Sequence, residues 1–64
     1  MISQALMDAL ANARRLLANE RSAVQKCIAL GYSEDTFDLR FARSEVKHFE
    51  ALVARLERRA GGEK

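Results

Sequence analysis

Leu30-Gly31-Tyr32-Ser33-Glu34-Asp35 decides the fold. A glycine directly after an apolar helical run suits the left-handed residue that stops a helix. Ser33, Glu34 and Asp35 then offer side chains that cap a new helix, and their negative charge suits its N-terminus. The stretch therefore predicts one helix ending and a second beginning within a few residues.

The chain on either side carries a seam. Before the turn, Leu6, Leu10, Ala13, Leu17, Glu20, Val24 and Cys27 follow alternating spacings of four and three, as in a heptad stripe. After it, Leu39, Ala42, Val46, Phe49, Val53, Leu56 and Ala60 do the same. Folding at residue 33 sets Cys27 against Leu39, Val24 against Ala42, Leu17 against Phe49, Ala13 against Val53 and Leu10 against Leu56. The numbers in every pair add to the same total, as an antiparallel pair of helices demands. The expected fold class is all-α: a coiled-coil-like antiparallel two-helix hairpin. One domain is expected over 1–64, with helix 1 about 3–30, turn 31–34, helix 2 about 35–60 and a polar tail 61–64. Ser3 is the expected first cap, and Gly61 and Gly62 the expected stop.

A chain of 64 residues buries only about 60% of its unfolded surface and is marginal alone. One cysteine, Cys27, allows no internal disulfide. One cysteine and one histidine, His48, cannot supply a closed zinc site. Self-association is the remaining route to stability. Apolar residues lie outside the seam at Ile2, Leu16, Leu30 and Leu52, with Met7 and Ile28 beside them. A homodimer forming a four-helix bundle would cover the first four.

The expected function is a small non-enzymatic protein–protein interaction module, a regulator, inhibitor or adaptor for a larger protein. Tyr32, Phe37 and Phe41 cluster near the turn and Arg40, Arg43 and Lys47 follow them. Aromatics and arginine dominate interface hot spots, so these six are the expected partner-binding residues. Cys27 lies in the seam and His48 on another face, so no nucleophile–base pair forms and no enzyme activity or cofactor is expected.

Two alternatives carry specific residues. A basic middle band could touch nucleic acid, although the formal charge is only +2 and no DNA-binding motif is present. Glu45-Val-Lys-His48 is a Glu-x-x-His pattern on a helix. With Glu20 level with Glu45 across the hairpin, a dimer would hold the ligand inventory of a dinuclear metal bundle. Glu20 otherwise needs a pairing partner in the seam, and Arg43 and Lys47 lie near its level. The first residues lack the basic start and continuous apolar run of a secretion signal. No stretch approaches the ~20 apolar residues of a membrane span. A cytoplasmic protein is expected. Eight arginines against three lysines, with abundant alanine, point to GC-rich codons and a bacterial or phage source.

Overall fold

The computed structural model describes residues 2–62 as two helices packed side by side, α1 (Gln4–Ala29) and α2 (Phe37–Gly62). The hairpin is a rod of 46 × 14 × 12 Å. Neither helix is long and apolar enough to cross a membrane.

α1 starts where a hydroxyl meets unpaired backbone. Ser3 is extended at φ −69° and ψ 150°, and its Oγ accepts the Leu6 N–H at 3.1 Å. That satisfies one of the amides that a first helical turn leaves without a partner. α1 ends in a complete Schellman motif. The Tyr32 N–H donates to the Cys27 carbonyl and the Gly31 N–H to the Ile28 carbonyl, each at 3.0 Å. Gly31 reaches this geometry at φ +85°, which a side chain would strain.

α2 begins at Phe37, beyond the three capping candidates. Ser33 opens a turn instead of capping a helix. Its carbonyl accepts the Thr36 N–H at 3.0 Å, and the Ser33 and Thr36 hydroxyls lie 3.3 Å apart. The Thr36 carbonyl then receives the Arg40 N–H at 3.0 Å. Asp38 is left as the acid of the first turn, where it favours the helix dipole. At the far end α2 runs through Gly61 and Gly62, neither of which turns left-handed. Lacking a side chain disfavours a helix without forbidding it. The rest of the expected tail, 63–64, lies outside the described residues.

Among the described residues every buried one is a seam position. Leu6, Ala13, Leu17 and Val24 of α1 face Leu39, Ala42, Val53 and Ala60 of α2, as the paired numbering requires. The core is not continuous. Ala13, Leu17 and Val53 form one cluster, and Val24, Leu39 and Ala42 form another nearer the turn. Val46 packs against both. The seam residue between them on α1 is Glu20, which is half-buried.

Candidate functional site

The two flanks beside the seam are chemically different. On one, Arg14 Nη2 lies 2.9 Å from Glu57 Oε2, and Arg21 Nη2 lies 3.1 Å from Glu50 Oε2. Both pairs bridge α1 to α2, and both members repeat at a spacing of seven. Exposed pairs of this kind contribute about 0.2–1 kcal/mol each, so they fix orientation more than they stabilise. Beside them is an open groove of about 350 Å³ with Val24 and Val46 in its floor and Arg21, Arg43, Lys47 and Glu50 around it.

The other flank carries Ile2, Ala9, Leu16, Ala23 and Leu30 on the α1 side, again seven apart. From α2, Leu52 packs against the cluster of Ala13, Leu17 and Val53. Ile2, Leu16 and Leu52 are half-buried, whereas Leu30 remains 70% exposed. Within α1, helical rotation turns Leu16 away from Arg14 and Arg21.

The turn end is the most apolar surface. Ile28, Leu30, Tyr32, Phe37 and Phe41 are all exposed, and among large exposed hydrophobics of the described residues only Met7 lies elsewhere. Phe37 and Phe41 are one helical turn apart, and their rings stack with centroids 6.0 Å apart. With Arg40 and Asp35 they line a shallow hollow. The six expected partner-binding residues therefore divide. Phe37, Arg40 and Phe41 come together at the tip beside Tyr32, while Arg43 and Lys47 border the groove on the salt-bridged flank.

Arg43 does not serve Glu20. Its Nε and Nη2 grip both carboxylate oxygens of Glu34 at 2.7 and 2.8 Å. The turn brings Glu34 back over the first turns of α2, where a two-pronged guanidinium contact is within reach. No hydrogen bond or ion pair reaches Glu20 among the described residues. Hydrogen bonding from Arg43, then its charge, holds the Glu34 carboxyl below the ordinary glutamate value. The tether is complete above the ordinary glutamate range and is lost as pH falls through the depressed value. In an NMR titration Glu34 should titrate lower than a free glutamate, and Arg43→Gln should return it to normal. Equal midpoints in the two proteins would show that the pair does not persist in solution.

The metal alternative is not assembled within one hairpin. Among the described residues no three histidine, cysteine, aspartate or glutamate side chains gather to hold an ion. Glu20 and Glu45 are half-buried, whereas His48 is exposed, its ring set edge-on to Phe49 at 5.1 Å. Cys27 is a half-buried free thiol in the seam.

Sequence reasoning missed the cross-helix pairs and the groove beside them. The signal was present in the seven-residue spacing of Arg14 and Arg21, matched by that of Glu50 and Glu57. No family model, curated protein or solved structure matches the chain.

Proposed function

We propose that the chain is a small non-enzymatic interaction module, a regulator, inhibitor or adaptor that dimerises through its apolar flank and engages a larger protein with its aromatic tip. The observation that carries this reading is the concentration of exposed apolar side chains between Ile28 and Phe41. Single exposed hydrophobics are ordinary, but a contiguous patch marks a contact surface. Phe37, at 76% exposed, gives the hairpin almost none of its packing. Stacked on Phe41 with Arg40 alongside, it has the composition of an interface hot spot. The salt bridges favour a protein partner over nucleic acid. Arg14, Arg21 and Arg43 each already hold a carboxylate, which leaves less unpaired positive charge for phosphates.

Affinity capture from the source cell, comparing wild type with Phe37→Ala/Tyr32→Ala, tests the reading. A specific protein should bind the wild type and bind the double variant about 30-fold or more weakly, given hot-spot losses of about 2 kcal/mol. Circular dichroism should show the variant as helical as the wild type. Capture that survives both substitutions, or that consists of nucleic acid released by moderate salt, overturns it.

A further inference from the structure

We infer that the groove on the salt-bridged flank takes an acidic helical segment of a partner protein, with a partner carboxylate on Lys47 and an apolar side chain on Val24 and Val46. This rests on the interaction-module reading above, but on neither the aromatic tip nor dimerisation.

The argument comes from which cations of this flank are already occupied. Arg14 holds Glu57, Arg21 holds Glu50, and Arg43 holds both carboxylate oxygens of Glu34. Lys47 stands one helical turn beyond Arg43 on the groove rim and has no carboxylate or hydrogen-bond partner among the described residues. Across the groove, the Gln25 side chain is likewise without one. The series of ion pairs therefore has an open place at Lys47, beside an apolar floor. An exposed lysine alone is ordinary. Here it adjoins two valines and a guanidinium that already grips a carboxylate, a setting complementary to an acid with an apolar neighbour.

Shape narrows the occupant. The groove lies between two helices, and from Arg43 to Glu50 it spans about 10 Å, two helical turns at 1.5 Å per residue. A third helix laid along it would present side chains three and four apart to the floor. A volume of about 350 Å³ is near the lower end for ligand sites, and a long acyl chain would leave much of its length in water. One open cation does not follow a phosphate backbone, which is held by several at once. A second copy seated about a two-fold axis would set the lysine-bearing rim against itself. Glu34 reaches Arg43 from the turn and so holds a place that a second partner carboxylate would take. Removing Lys47 and removing Glu34 should therefore act in opposite directions.

Fluorescence anisotropy tests the assignment with a labelled helical peptide of about 14 residues, four turns, carrying leucines three and four apart flanked by glutamates. A counterpart has lysine for every glutamate. The glutamate peptide should bind the full chain saturably and the lysine peptide should not. Lys47→Gln should weaken binding about ten-fold, while Lys26→Gln, the same charge change outside the groove, should leave it unchanged. Glu34→Gln should tighten binding about three-fold or more, and Asp35→Asn, its charge-matched control at the tip, should not. Circular dichroism should show all four variants as helical as the wild type. No saturation at about 1 mM peptide, equal binding of the two peptides, or equal effects of a variant and its control overturns the assignment. So does occupation of the groove by a DNA strand, or a dimer mass without peptide that Lys47→Gln abolishes. None of these outcomes touches the tip reading, which affinity capture tests separately.

Discussion

Leu39→Ala should leave the chain largely unfolded at room temperature, seen as loss of the helical circular dichroism signal. Among the described residues Leu39 is the one large side chain with no exposed surface, and it joins Val24 and Ala42 in the cluster next to the turn. Truncating a buried leucine costs about 2–5 kcal/mol, through lost transfer energy and the cavity left behind. Stabilities run at about 0.05–0.15 kcal/mol per residue, so a chain of 64 residues has few kcal/mol to lose. Two helices cannot close over a void as a multilayered core can, because no third element can move in. Met7→Ala is the control: Met7 is 51% exposed, and its loss should barely move a urea midpoint. Equal shifts for the two variants would mean that the cluster beside the turn does not hold the hairpin together.

Glu20→Leu should work in the opposite direction and raise stability by about 1–2 kcal/mol. Glu20 occupies a seam position, is half-buried, and receives no hydrogen bond or ion pair from the described residues. Its carboxylate gives up part of its hydration without a compensating charge. Leucine there would pack against Val46, which already touches both core clusters, and would fuse them. A domain of this size gains about 4–8 °C of melting temperature per kcal/mol. A polar seam residue commonly fixes oligomeric state at a cost in stability. The leucine variant should therefore also populate larger oligomers in sedimentation. An unchanged or lower melting temperature would show that Glu20 is already accommodated without penalty.

The register of the hairpin was legible from sequence because heptad spacing is a one-dimensional record of one helix face. Cys27, Leu39, Val24 and Ala42 sit where that record puts them. The salt-bridged flank was legible in principle, since Arg14, Arg21, Glu50 and Glu57 obey the same period. The tip was not. The grip of Arg43 on Glu34 depends on the path of the turn, which Ser33 and Thr36 set through mutual hydrogen bonds that spacing does not encode. For the same reason the start of α2, expected at about 35, falls at Phe37. The expected partner residues were read as one group because they are close in number, whereas helical rotation separates Arg43 and Lys47 from Phe37, Arg40 and Phe41. Dimerisation is an expectation from leftover apolar residues; in the single hairpin Ile2, Leu16 and Leu52 are half-buried and Leu30 is exposed.

The Schellman turn at Gly31 has a further consequence, in time. Joining Cys27 to Leu39 closes only the short connection between them, while joining Leu6 to Ala60 constrains almost the whole chain, and closure entropy grows with the length enclosed. The hairpin therefore gains most by pairing first at the turn and zipping outward, with each new contact enclosing a loop already mostly ordered. Such local contacts favour rapid folding. The open end, where Ser3 and Gly62 mark the helix limits, should be the last part to form and the first to fray.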